Sequence, residues 1–477
     1  RFMLSPLDLK NKMMEPKKRK YYDKDETDDY LELVMEQYKQ LYDENLELQK
    51  NVKSLNDGVQ YYRSIENTMQ KALVLAEKTA KETKDAAQLK AEAIENILEA
   101  AQYKKTGKCK ALIVTGCLAE RYKNDVTEEI PEVDVCVGIG ADGDIAKIVE
   151  KALGGEKRNF FAEKAALDLN GDRILGSYPF STYLKVGDGC DNCCTYCAIP
   201  KIRGRMRSRS IEDCVKEAQR LAMGGVKELT VVAQDTTAYG EDIYGKPMLA
   251  VLLRELCRVE GLHWIRTLYT YPDRITDELL DTVASEEKLV KYFDIPLQHV
   301  NGDILKRMNR KGNYESLSAL IDKIRARIPN VTLRTTLITG FPGETEEQFC
   351  ELARFVKEKR FDRLGCFTYS AEEDTAAALF PDQIDEQTKQ DRMDNIMELQ
   401  QTISAEKNEE KIGTVTEVLT EGWDDYIKCY FGRTQSDAPE VDGKIFFMSS
   451  RPLVIGEFVK VRINDTLDYD LLGELEE

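Results

Sequence analysis

The chain has 477 residues, a net charge of −18, 12 cysteines and only two histidines. That length calls for two to four domains with ample core. The charge argues against broad affinity for nucleic acid backbones and leaves basic proteins open as partners. His263 and His299 are too few for a histidine triad or a histidine-based metal site, and no apolar run approaches the ~20 residues of a membrane span. Free cysteines in an acidic chain without a signal peptide predict a reduced, cytoplasmic protein rather than a disulfide framework.

The chain opens Arg1-Phe2-Met3, so Met3 is the candidate start, or the chain is a piece of a longer one. A short apolar stretch from Met3 to Lys12 precedes the basic run Lys17 to Lys20. Residues 31–83 then carry a heptad repeat. Its a positions are Leu31, Tyr38, Asn45, Val52, Val59, Glu66, Leu73 and Ala80; its d positions are Val34, Leu41, Leu48, Leu55, Tyr62, Met69, Ala76 and Thr83. The strict 3-4 alternation predicts a coiled coil, roughly 80 Å long at ~1.5 Å per residue. Asn45 at an a position favours a parallel homodimer.

From Tyr103 the pattern changes. Lys110–Thr115 and Asp134–Gly138 are short apolar runs, each followed by a helical segment, which predicts a small α/β layer over 95–155. Between Ser181 and Ser370 the alternation repeats. Strands are predicted near 182–187, 228–233, 264–270, 291–296, 332–338 and 363–369, with helices near 211–223, 248–258, 276–285, 315–327 and 345–358. Such repetition implies a parallel (β/α) barrel or partial barrel over 176–380, with its chemistry at the C-terminal strand ends. A linking helix is predicted over 381–410, and a small all-β domain over 411–477, punctuated by Gly413, Gly422, Gly432, Gly443 and Gly456.

Just after the first barrel strand stand Cys190, Cys193, Cys194 and Cys197. Read as Cys190-x3-Cys194-x2-Cys197, three thiolates hold three irons of a [4Fe–4S] cluster and leave the fourth open to a substrate or cofactor. Spacing alone leaves open the other register, Cys190-x2-Cys193-x3-Cys197. Structural zinc usually takes two separated ligand pairs, and no second pair or nearby histidine exists here.

The loop, with Tyr196 before its last cysteine, resembles the signature loop of radical SAM enzymes. Further segments match one branch in order: Val232–Gly240, Asp294–His299, Arg307–Arg310, Thr336–Glu344, Tyr369-Ser370 and Gly432–Gly443. Residues 95–477 thus resemble the RimO type of methylthiotransferase, which modifies an aspartate of a small-subunit ribosomal protein; the last 67 residues resemble a TRAM module. The first 90 residues are similar to DivIVA-type division-site proteins, which implies an N-terminal turn over 1–30 ahead of a coiled-coil segment over 31–94. The resemblance implies a cluster on Cys190, Cys194 and Cys197, S-adenosyl-L-methionine (SAM) on its open iron, and reductive cleavage of the SAM S–C5′ bond. It also implies a flavodoxin- or ferredoxin-type reductant. Gly225, Glu228, Gln234, Arg334, Gly340 and Glu344 fall at the family's candidate SAM contacts, while His299 reads as structural.

Two departures follow. The family carries a second, auxiliary cluster on three N-terminal cysteines, of which only Cys117 is recognisable here; Cys109 and Cys136 show no completing pattern. The N-terminal domain therefore reads as a truncated, flavodoxin-like half, with methylthio transfer impaired. Residues 411–477 hold seven Lys/Arg against 14 Asp/Glu, which suits a basic ribosomal protein better than RNA. Met13 and Met14 stand where DivIVA-type proteins carry an exposed Phe, which weighs against membrane contact. The competing readings are a tRNA-modifying methylthiotransferase and a coiled-coil scaffold fused to a defective enzyme.

Overall fold

Short strands rich in β-branched residues alternate with amphipathic helices, and they build a one-sided parallel arc. The computed structural model describes residues 94–164, 169–171, 173, 175, 176 and 178–476, together with Val34. The chain divides into Arg1–Glu92 and Ala93–Glu477. The predicted N-terminal turn and coiled coil lie outside the described residues, apart from Val34, which is helical.

The second unit begins with a helix over 94–105, then β1 (Ile113–Thr115) and β2 (Val135–Val137), which pair in parallel. Ile97 of that helix packs on the Val114, Ala119, Val126, Val133 and Cys136 core, and Lys104 pairs with Asp134 at 2.5 Å. Phe160 bridges β2 at Val137. Besides the opening helix, this layer holds two strands and four short helical segments among the described residues.

All six predicted barrel strands form. β3 (Ser181–Lys185), β6 (Glu228–Val232) and β7 (Trp264–Thr267) make one parallel sheet in the order 3-6-7; β8 (Tyr292–Gln298), β9 (Thr332–Thr339) and β10 (Arg363–Thr368) make another in the order 8-9-10. The bridge between Ile265 and Leu289 and the bond from Thr270 N–H to Asp294 O join them into an arc open between β3 and β10. The first strand is shorter than expected. After Lys185 the chain turns into β4 (Gly187–Asp188), which pairs antiparallel with β5 (Arg207–Ser208) and closes the base of the cysteine loop.

The covering helices start on side-chain caps, which satisfy otherwise orphaned N–H groups. Ser210 caps the helix Ile211–Met223, Thr276 caps Asp277–Ser285, and Asn313 and Thr345 form capping boxes on Tyr314–Arg327 and Glu346–Lys359. Their apolar faces bury Leu221, Leu280, Ile321 and Phe355 against the outer face of the arc, as the uncapped helix Leu249–Cys257 buries Leu252. The long helix Glu386–Glu409 then leads into β11 (Val415–Asp424), β12 (Cys429–Arg433), β13 (Ile445–Met448), β14 (Phe458–Thr466) and β15 (Leu471–Leu475), a closed barrel in the order 11-12-13-15-14.

The two barrels are locked together. The segment 433–442 docks on the N-terminal ends of the arc strands. Arg433 pairs with Glu228 of β6, and Arg363 of β10 donates to Asp437 Oδ1 at 2.6 Å. Tyr292 of β8 donates to Asp442 Oδ2 at 2.6 Å, and Thr332 of β9 to Ser436 Oγ at 2.9 Å. Trp264 of β7 meets Phe458 of β14 edge-on at 4.7 Å. Every arc strand from β6 to β10 therefore ends on the C-terminal barrel.

Candidate functional site

A cavity of about 580 Å³ occupies the hollow of the arc. The cysteine loop lines one wall with Cys190, Cys194 and Cys197, each half-buried, and with the exposed Cys193. Gly189 makes the loop's entry: its φ is +82°, and a Cβ there would sit 2.1 Å from Arg205 O, so only glycine fits. Asn309 Nδ2 donates to the carbonyls of Asn192 and Cys193, and Thr195 donates to Arg307 O, which fixes the loop from beneath. Burial pushes the Cys190 thiol up to about 11 and the Cys197 thiol in the same direction. Thiols in this state become ligands by exchanging protons for metal.

Among the described residues no three His, Cys, Asp or Glu side chains converge on a single ion position, the arrangement that tetrahedral zinc at ~2.3 Å from sulfur requires. A cubane, by contrast, takes its thiolates at separate corners. Arg310 adds a positive group: its Nη1 lies 3.7 Å from Cys194 Sγ and 3.4 Å from the Tyr196 hydroxyl. A guanidinium beside Cys194 suits an anionic centre on the loop.

The opposite walls fit an organic ligand that carries hydrogen-bond donors. Gln234 and Gln298 both line the cavity, and each has a buried Oε1 with no partner. Gln298 is held at φ +69°, a strained conformation for a non-glycine residue. Tyr269, Tyr271, Leu268, Pro296 and Phe367 give flat apolar surface. Arg334 enters the floor, bonded to Asp294 at 2.9 Å and lying 3.6 Å from Asp442. The C-terminal barrel contributes Ala438 and Val441 to the same cavity.

Of the residues singled out from sequence, Cys190, Cys194, Cys197, Gln234 and Arg334 meet here. Gly225 and Glu228 do not. They sit at the N-terminal end of β6, away from the end where Gln234 enters the cavity, and Glu228 is fully buried between Arg266 and Arg433. Burial pushes its carboxyl up, but the two guanidinium groups more than reverse this and hold it below the usual range. It is a structural anchor.

Gly340 and Glu344 also stand outside the cavity lining. Glu344 accepts from the N–H groups of Gly340 and Phe341 and from Arg392, and so fastens the turn after β9. Burial lifts its carboxyl to about 7, with Arg392 offsetting only part of the shift. A carboxyl raised on folding contributes stability below its unfolded value near 4.5 that is lost as pH rises through 7. Relative to the parent, E344Q is expected to gain about 2–3 kcal/mol between pH 4.5 and pH 8, read from urea midpoints. A constant difference across that range would sink this account. His299 is structural, as expected: fully buried, pushed down to about 3 by burial and by Arg392, and accepting at Nδ1 from Asn301 N–H.

Cys117 is the first residue of the short helix Cys117–Tyr122, which packs on the helix Ile199–Arg203 directly after the cysteine loop. Its exposed Sγ accepts from Arg203 Nη2 at 3.1 Å. Cys136 is buried in β2, its thiol pushed up to about 11 by burial and then by Glu120, and Cys109 donates to Ala111 O. No cysteine precedes Cys109 in the sequence. Sequence reasoning passed over Asp294, Gln298, Tyr269 and Val441 as site residues; the positive φ of Gln298 and Tyr269 has no signature that a sequence reveals.

Comparison with known proteins agrees with this geometry. The model of the radical SAM superfamily matches residues 184–356, that of the TRAM domain 412–475, and that of DivIVA protein 4–130. The DivIVA match thus runs into the α/β layer. The ribosomal protein uS12 methylthiotransferase RimO of Lachnoclostridium phytofermentans is 49% identical over 388 residues, 81% of this chain and 88% of that protein. The protein of the same name from Desulforamulus reducens is 49% identical over 389 residues, again 81% and 88%. A looser likeness, with a TM-score of 0.47 and 15% identity over 56% of this chain and 57% of the other, extends to the radical SAM methyltransferase TsrM of Kitasatospora setae. With a three-cysteine loop facing a cavity at the strand ends, and these relatives matched over most of their length, the chain belongs to the RimO family of radical SAM methylthiotransferases.

Proposed function

We propose that this chain binds one [4Fe–4S] cluster through Cys190, Cys194 and Cys197, binds SAM beside it, and acts on the β-carbon of an aspartate in ribosomal protein uS12. The observation that carries the reading is the cysteine wall facing two buried amide oxygens without partners, Gln234 Oε1 and Gln298 Oε1, across one cavity. When bound, the cluster supplies the electron that breaks the SAM S–C5′ bond. Gln234 and Gln298 would accept from the ligand's donors, while Tyr269, Tyr271 and Phe367 would exclude water from its apolar parts. Arg334, neutralised by Asp294, would orient the polar end. A flavodoxin- or ferredoxin-type protein is the expected reductant. The acidic balance of residues 411–477 supports a basic protein target over tRNA.

The methylthio step is read as impaired. Cys117 faces the barrel, but Cys136 is committed to the core of the α/β layer and Cys109 to a local bond, so a second cluster lacks ligands. We read 95–155 as the truncated remnant of a larger flavodoxin-like domain, and residues 31–83 as a dimerising coil. Anaerobic reconstitution is expected to give about four irons per chain and 5′-deoxyadenosine with dithionite. It should also give binding of uS12 in preference to tRNA, and little methylthio product on the aspartate by mass spectrometry. About eight irons, or a methylthio product on tRNA, defeats the reading.

A further inference from the structure

Arg310 is 7% exposed, yet it pairs with no carboxylate among the described residues. Its bonds run instead to Pro296 O at 2.6 Å, to the Tyr196 hydroxyl at 3.4 Å and to Cys194 Sγ at 3.7 Å, and its guanidinium lies 4.1 Å from the centre of the Tyr271 ring. The other deeply buried arginines of this unit all have carboxylate partners: Arg266 and Arg433 share Glu228, Arg363 has Asp437, and Arg392 has Glu344. A buried cation without a counter-charge costs several kcal/mol, so a group of opposite sign is expected beside Arg310. The one side chain near it that can become an anion by binding metal is Cys194.

Arg310 is also held rigidly. The helix Gly302–Arg307 is capped by Asn301, whose side chain accepts from Asp303 and Ile304 N–H. The turn beyond it returns Arg310 N–H to Leu305 O at 2.7 Å, and Asn309 of the same turn binds the cysteine loop at two carbonyls. One short segment therefore fixes both the loop and the cation facing it.

We propose that Arg310 is a positioning residue that serves as the counter-charge of the cluster at Cys194, favouring its reduced, more negative state and so setting its reduction potential. This rests on the cluster assignment in the proposed function, but not on the uS12 target. A fixed positive charge in a low-dielectric site stabilises the added electron, so removing it makes reduction harder.

The test uses the full chain, reconstituted anaerobically and titrated in the absence of SAM, with reduction followed by electron paramagnetic resonance. Arg310→Gln removes the charge but keeps hydrogen-bond donors; Arg310→Lys keeps the charge. Arg310→Gln is expected to lower the reduction equilibrium at least tenfold, which is 59 mV more negative for one electron, while Arg310→Lys stays within about threefold of the parent. Equal potentials in the two variants overturn the proposal. So does a loss of SAM affinity with an unmoved SAM-free potential, which would assign Arg310 to the SAM carboxylate. If Arg310→Gln holds too little iron to titrate, loading becomes the readout: iron kept by Arg310→Lys alone supports the charge, and iron lost from both refutes it. A parent chain that takes up no iron fails the cluster assignment itself, and this inference falls with it.

Discussion

Cys194→Ala is expected to leave the chain colourless after anaerobic loading with iron and sulfide, and to reduce 5′-deoxyadenosine formation below about 10⁻³ of the parent rate. Cys190→Ala and Cys197→Ala should behave alike. The reason is that each of these thiolates would hold a separate corner of the cluster. Cys193, which also lines the cavity, is the internal control. It is exposed and sits at φ +49°, between Cys190 and Cys194. Cys193→Ala should retain the cluster and most of the activity. Visible absorbance with iron counting decides it: loss in Cys193→Ala with retention in Cys194→Ala would establish the other register.

Glu228→Gln is expected to destabilise the second unit by about 3–5 kcal/mol, because it leaves Arg266 with no carboxylate and Arg433 with Glu421 alone, in a site closed to water. That is a large share of the ~5–15 kcal/mol that holds a typical domain together. The pH dependence has a definite sign. Glu228 is held below its usual range by the two guanidinium groups, so its contribution is present above about pH 4.5 and lost as pH falls through the lowered value. The parent should therefore lose more stability than Glu228→Gln over that acid interval, Asp437 contributing equally to both. Trp264 reports on the event directly, since it packs between the arc and Phe458 of the C-terminal barrel. Urea unfolding followed by its fluorescence should show the midpoint moving; an unchanged midpoint would mean that the buried triad contributes little. The double replacement Glu228→Gln and Arg266→Met should recover part of the loss, since it removes the cation left without a carboxylate while Arg433 keeps Glu421.

The strands and helices of the arc were legible because each carries local punctuation: a β-branched run, a capping residue, a glycine at the turn. The cysteine loop was legible because its ligands lie within eight residues of one another. The rest of the cavity was only partly so. Gln234, two residues beyond β6, and Arg334 of β9 were singled out by the resemblance alone, and both line the cavity. Glu228 was singled out in the same way, but which end of a strand is chemically useful depends on what covers the other end. Here that cover is Arg433, 205 positions away in sequence. Val441 and Ala438 were missed for the same reason: a wall built by a distant domain leaves no local pattern. Arg310 lay inside a motif that was noticed, yet its lack of a carboxylate partner is a property of three-dimensional surroundings alone.

The docking of 433–442 under the arc has an evolutionary corollary. Because Asp437, Asp442 and Arg433 are met by Arg363, Tyr292 and Glu228 on three different strands, the terminal module is not freely exchangeable. A chimera that grafts this module from a distant relative should fold only if those strand ends travel with it, so the two parts are constrained to drift together rather than shuffle as independent cassettes.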